Sequence, residues 1–137
     1  MRLVKIAVVL AVGFAGYKLL APAPPAQSPA EKFVADTIAA HPVVVFGKTW
    51  CGFTQKALRV LEARLGPPPG GFASVSLDQR ADGDAVQEVM GRLTGATSVP
   101  RVFIGGKFVG GGDETAALDA SGELARLLAA AGVAARA

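Results

Sequence analysis

The chain has 137 residues, half of them apolar, with 17 glycines and 9 prolines, which gives room for one compact domain around a buried core. Its formal charge of +3 is 14 cations against 11 acids; Arg2, Lys5 and Lys18 precede every acid, so from residue 30 onward 11 cations face 11 acids. A neutral domain without basic runs lacks the electrostatic footprint of a nucleic-acid binder, and one cysteine, Cys51, with one histidine, His41, excludes an internal disulfide and a closed site of four Cys/His ligands.

Residues 1–20 carry Arg2 and Lys5, an uncharged run over 6–17, and then Lys18. As a helix, residues 3–20 would reach roughly 27 Å, close to a hydrocarbon core with Lys5 and Lys18 at its two interfaces. A retained single-pass membrane anchor is the preferred reading. A cleaved signal peptide, an organelle-targeting segment and a buried soluble helix are its alternatives. Arg2 and Lys5 favour a cytoplasmic N-terminus, which puts the domain in a secretory lumen or periplasm; an organelle or the cytoplasmic face is the alternative. Residues 21–28, with three prolines and no charge, form an extended spacer, and residues 29–137 form the domain.

Ser28-Pro29-Ala30-Glu31 combines an N-cap serine, proline at the first helical position and glutamate three residues after the cap, so a helix is predicted over 29–40. His41-Pro42 ends it. The apolar, β-branched run 43–46 has the composition of a strand buried on both faces. A helix over 52–65 places Ala57, Leu58, Leu61 and Leu65 on one face, and the glycine- and proline-rich stretch 66–71 terminates it. A strand follows over 72–77, and a helix over 82–93 turns Val86, Val89, Met90 and Leu93 inward. Gly105-Gly106 between two short apolar runs marks a two-residue hairpin, and a last helical region starts at Asp113, interrupted near Ser121-Gly122. The order α-β-α-β-α-β-β-α predicts a four-stranded mixed sheet with helices on both faces.

Cys51 is thereby placed at the N-terminus of a helix, directly after a buried strand. Unpaired N–H groups and the helix dipole favour an anion there, and Lys48 adds a positive charge three residues earlier, so the thiol pKa should fall.

The segment Lys48-Thr49-Trp50-Cys51-Gly52-Phe53-Thr54 resembles a glutaredoxin active site. The resemblance continues in Leu93-Thr94-Gly95, in the run from Ser98 through Pro100 to Gly106, and in Gly110-Gly111-Gly112-Asp113, and it covers about residues 29–131. It implies an α/β thioredoxin-like fold with Pro100 in a cis peptide bond beside the cysteine. It also implies glutathione as co-substrate and glutathionylated proteins as partners. Cys51 would be the nucleophile, and the backbone of Val99 would pair with the cysteinyl part of glutathione. Lys48 and Gln87 would hold its glycyl carboxylate, Gly112 and Asp113 its γ-glutamyl end, and Phe53 would complete the binding set. Glutathione carries a carboxylate at each end, which is why such a site needs cations or N–H groups at both.

Thr54 stands where dithiol members of that family carry a second cysteine, and a hydroxyl cannot attack a mixed disulfide. The resemblance therefore implies a monothiol cycle through Cys51 alone. Gly52-Phe53 is similar to members that bind a [2Fe–2S] cluster between two copies with glutathione as co-ligand, so cluster ligation by Cys51 in a homodimer is the alternative. Only Thr49-Trp50 separate Lys48 from Cys51, as in the reductase-type class, and the reductase reading is preferred.

Overall fold

A computed structural model describes residues 25–136. The first helix, α1 (Pro29–Ala40), starts on the expected capping box: the Glu31 N–H donates to Ser28 Oγ at 3.1 Å and the Ser28 N–H donates to Glu31 Oε2 at 3.0 Å. The remaining elements are β1 (Val43–Gly47), α2 (Gly52–Leu65), β2 (Ala73–Ser76), α3 (Gly83–Thr94), β3 (Arg101–Ile104), β4 (Lys107–Gly110), α4 (Gly112–Ser121) and α5 (Glu123–Ala130).

The strands form one sheet in the order β2-β1-β3-β4. β1 runs parallel to β2 and antiparallel to β3, which is antiparallel to β4. All five residues of β1 are buried, because the strand is central and both faces are covered. Its side chains alternate between two layers. Val44 and Phe46 pack with Ala30 and Val34 of α1 and with Val86, Val89 and Met90 of α3. Val43 and Val45 pack with Ala57 and Leu61 of α2 and with Leu124 and Leu128 of α5. The Phe46 and Phe103 rings meet edge to face, with centroids 5.8 Å apart and planes at 84°, a geometry worth about 0.5–1.5 kcal/mol beyond the buried area. This is the thioredoxin-like fold, a mixed sheet with helices on both faces.

The hairpin turns on Gly105 and Gly106 at φ 60° and 78°; a primed two-residue turn needs positive φ at both positions, which glycine adopts without strain. Elsewhere the chain departs from the sequence-based bounds. The strand expected over 72–77 pairs with β1 only over Ala73–Ser76, and Leu77–Gln79 closes into a 3₁₀ turn. Its flanking side chains drop into opposite layers, Phe72 with α2 and Leu77 with α3. Asp82 stands at the N-cap of α3 without capping it, since Arg80 holds its carboxylate at 2.8 and 3.0 Å.

Leu93, expected inward, is 58% exposed. It lies on the last turn of α3 and edges an open groove of about 490 Å³ with Val34, Ile38 and Val89, outside the core. The final helical region is two helices, divided at Gly122. Among the described residues no helix is long and apolar enough to cross a membrane; the segment 1–20 and the start of the 21–28 spacer lie outside them.

Candidate active site

β1 ends at Gly47, and Lys48, Thr49 and Trp50 turn the chain into α2, whose N-cap is Cys51. The Cys51 N–H closes this turn on the Lys48 carbonyl at 3.1 Å. One helical turn further in, Thr54 is 4% exposed, and its hydroxyl oxygen accepts the Lys48 N–H at 3.3 Å. Strand end, turn and first helical turn thus share one set of hydrogen bonds around the cysteine.

The Cys51 thiol is half-buried and donates to the Val99 carbonyl at 3.7 Å. Burial pushes its pKa up. The Thr54 N–H, the Thr54 hydroxyl, the Phe53 N–H and the Lys48 charge, in that order, pull it down and prevail, so the thiol lies below its ordinary range. A helix-terminal N–H group is the largest lowering cause, in keeping with the sequence position, and Lys48 contributes least. Thr54 supplies a hydrogen bond to the sulfur in place of a second thiol.

The Val99–Pro100 peptide bond is cis, in keeping with the resemblance. Five residues of the expected set, Phe53, Val99, Pro100, Gly112 and Asp113, line one cavity of about 230 Å³, together with Arg101 and Glu114. Phe53 remains 56% exposed. A Cβ on Gly112 would lie 2.4 Å from the Phe53 carbonyl oxygen, so the close approach of α4 to the first turn of α2 requires glycine there. α4 starts at Gly112 without a side-chain cap, which leaves its first-turn N–H groups without helical partners. Arg101 braces the cis segment, donating from Nε to the Ser98 carbonyl at 2.5 Å and from Nη2 to Ser98 Oγ, with its guanidinium 5.1 Å from the centroid of the Phe108 ring.

Cys51, Lys48 and Gln87 lie outside this lining, Cys51 meeting it through Val99. The Lys48 ammonium stands 5.5 Å from the centroid of the exposed Trp50 ring. Gln87 Nε2 donates to the Thr97 carbonyl at 2.7 Å, tying α3 to the segment that leads into Val99.

Four further residues shape the site without having been singled out in the sequence. Asp78 accepts from the Thr49 N–H at 2.9 Å and from the Thr49 hydroxyl. These two bonds, the hydroxyl first, hold the Asp78 carboxyl below the usual carboxylate range. Gln55 Nε2 donates to the Thr49 carbonyl at 3.1 Å, and Lys56 Nζ pairs with Asp113 Oδ1 at 2.7 Å. Asp78 was open to discovery, because it follows the carboxyl end of a strand parallel to β1, the edge at which α/β folds collect ligands. Thr49, Gln55 and Lys56 carry no comparable signal.

A thiol of lowered pKa in contact with Val99 of an open cavity, and flanked by two helix N-termini, is equipped for exchange with a disulfide of a small anionic thiol. Comparisons with known proteins agree. The family profile described as Glutaredoxin matches residues 43–109. Glutaredoxin-C4 of Arabidopsis thaliana is 42% identical over 107 residues, which cover 78% of this chain and 76% of the relative. Oxidized glutaredoxin 2 from Chlamydomonas reinhardtii superposes with a TM-score of 0.71 at 43% identity, over 75% of this chain and 94% of that one. A buckwheat glutaredoxin–glutathione complex superposes with a TM-score of 0.65 at 35% identity, over 77% and 92% respectively. The chain belongs to the glutaredoxin family of thiol–disulfide oxidoreductases.

Proposed function

We infer that the protein reduces mixed disulfides between proteins and glutathione by a monothiol cycle on Cys51. The observation that carries this reading is the Thr54 hydroxyl beside a Cys51 sulfur whose pKa is lowered, at the position where a dithiol enzyme needs a second thiol. The Cys51 thiolate attacks the glutathione sulfur of the substrate disulfide. A Cys51–glutathione disulfide forms, the substrate's sulfur–sulfur bond breaks, and the protein leaves as a thiolate that takes up a proton. A second glutathione, as thiolate, attacks the glutathione sulfur held on Cys51, and glutathione disulfide departs as the Cys51 thiolate is regenerated. In sum one free glutathione is consumed: the disulfide bond passes from the substrate protein to glutathione disulfide, whose other half is the glutathione the substrate carried.

In this reading the cysteinyl backbone of glutathione pairs with Val99 beside Pro100 and packs on Phe53. The γ-glutamyl end meets Gly112 and Asp113, and the glycyl carboxylate meets Lys48 and Gln87. The glutathione complex of the buckwheat relative supports this choice of ligand. Turnover of a glutathionylated peptide with glutathione, abolished in Cys51→Ser, is the test; undiminished turnover in that variant would refute the cycle.

Gly52-Phe53 supports a second reading, in which two copies and two glutathione thiols hold a [2Fe–2S] cluster. One chain offers it one thiolate where such a cluster takes four, and among the described residues no group of three or more His, Cys, Asp or Glu side chains comes together to hold a metal ion. A brown dimeric protein with visible absorbance and negligible turnover would select this reading over the first. We further propose that residues 3–20 anchor the domain to a membrane. Protease protection in intact vesicles checks this and decides which glutathione pool the enzyme meets.

A further inference from the structure

We propose that Lys56 is a specificity-determining residue that, paired with Asp113, makes the cavity read the zwitterionic end of glutathione rather than a simple carboxylate or amine. The proposal rests on the placement of the γ-glutamyl end given above. Lys56 follows Phe53 by three residues on α2 and so shares its helix face. Phe53 meets Gly112, and one residue further along α4 the Lys56 ammonium meets the Asp113 carboxylate at 2.7 Å. The same contact between α2 and α4 therefore fixes the backbone approach and sets the Lys56 ammonium, itself outside the lining, against Asp113 of the lining.

Asp113 and Glu114 line the cavity against a single cation, Arg101, which is already bound to Ser98. Without Lys56 the side-chain charge at this end is net negative, and only the N–H groups at the start of α4 would favour a carboxylate. Glutathione carries two carboxylates and one ammonium, and the α-carbon of its γ-glutamyl residue bears one group of each sign. With Lys56 in place, the ammonium takes Asp113 and the carboxylate takes Lys56, so that charges alternate around the site. The pair is open to water, with side chains 44% and 65% exposed, and an exposed ion pair rearranges at little cost.

The test compares glutathione with two analogues, glutaryl-cysteinyl-glycine, which lacks the amine, and 4-aminobutyryl-cysteinyl-glycine, which lacks the γ-glutamyl α-carboxylate. Each is joined to one peptide as a mixed disulfide and offered to wild type, Lys56→Gln and Lys56→Arg with glutathione as the common reducing thiol; the KM compared is that for the mixed disulfide, and folding is checked by thermal melting. Wild type is expected to show a raised KM for both analogues. Lys56→Gln should raise the KM for the glutathione mixed disulfide about two- to fivefold and abolish the penalty for the missing carboxylate while keeping that for the missing amine; Lys56→Arg should restore the wild-type pattern. A lowered KM for the glutathione mixed disulfide in Lys56→Gln, or both penalties unchanged, would overturn the role of Lys56 alone. If wild type treats all three mixed disulfides alike, the placement of the γ-glutamyl end falls and takes this inference with it.

Discussion

Asp78 accepts both polar hydrogens of Thr49, the N–H at 2.9 Å and the hydroxyl, across the neighbouring carboxyl ends of β1 and β2. With Gln55 bonded to the Thr49 carbonyl, every polar atom of that residue is held, and Thr49 stands next to Lys48. Asp78→Ala should therefore raise the KM for a glutathionylated peptide about three- to tenfold, the loss of one or two hydrogen bonds, with a smaller change in kcat. Asp78→Asn keeps one acceptor and should fall between. Steady-state kinetics at varied concentration of that peptide separate the two parameters.

The thiol of Cys51 is acidified by hydrogen bonds and by a charge, and these are separable. Thr54→Val removes the hydroxyl and Lys48→Met the charge; each should raise the thiol pKa, so the alkylation rate at a fixed lower pH falls and its acid limb moves to higher pH. Thr54→Ser should leave the profile in place. Because the folded thiol titrates below its unfolded value, the unfolded chain binds more protons between the two values, and stability relative to Cys51→Ser rises with pH in that window. The increment is complete above an unfolded thiol pKa of about 8.5 and is lost as pH falls through the folded value. Denaturant titrations across that range measure it.

Gly112→Ala would set a methyl group 2.4 Å from the Phe53 carbonyl oxygen, a backbone atom that can move only with α2. Overpacking of this kind destabilises by about 1–3 kcal/mol. Because Phe53 also directs an N–H at Cys51, turnover should fall together with the melting temperature. Gly111→Ala, whose Cβ would lie 3.3 Å from the Pro100 carbonyl, should be milder in both measurements.

Leu61 is fully buried beneath the sheet on α2. Leu61→Ala should cost about 2–5 kcal/mol, read from chemical denaturation, while kcat measured well below the transition stays close to wild type.

The fold was legible where local chemistry and long-range packing favour the same structure. The β-branched run of β1, the capping box at Ser28 and the Gly105-Gly106 turn each act locally, and each lies where the pattern placed it. Leu93 follows the same helical spacing as Val86 and Met90 but faces solvent, because spacing states the face of a helix and not how far the neighbouring layer extends along it. In the site, Cys51 was legible from its place between strand and helix, whereas Phe53, Val99, Gly112 and Asp113 came together only through the motif resemblance. The bonds from Asp78 to Thr49 and from Lys56 to Asp113 join residues 29 and 57 positions apart. No periodicity encodes such pairs; they exist only once the strands are in register and α4 lies against α2.

β1 has a consequence for how the nucleophile moves. It is the central strand, paired on both sides and buried at every position, so its amide hydrogens should exchange with solvent only when the whole domain opens. Cys51 is mounted four residues beyond the end of the strand that, among the described residues, is buried at every position. Slow deuterium uptake over Val44, Val45 and Phe46, beside faster uptake over the hydrogen-bonded turns of α4 from Thr115 onward, would show the strand that carries the nucleophile opening less readily than the helix at the cavity.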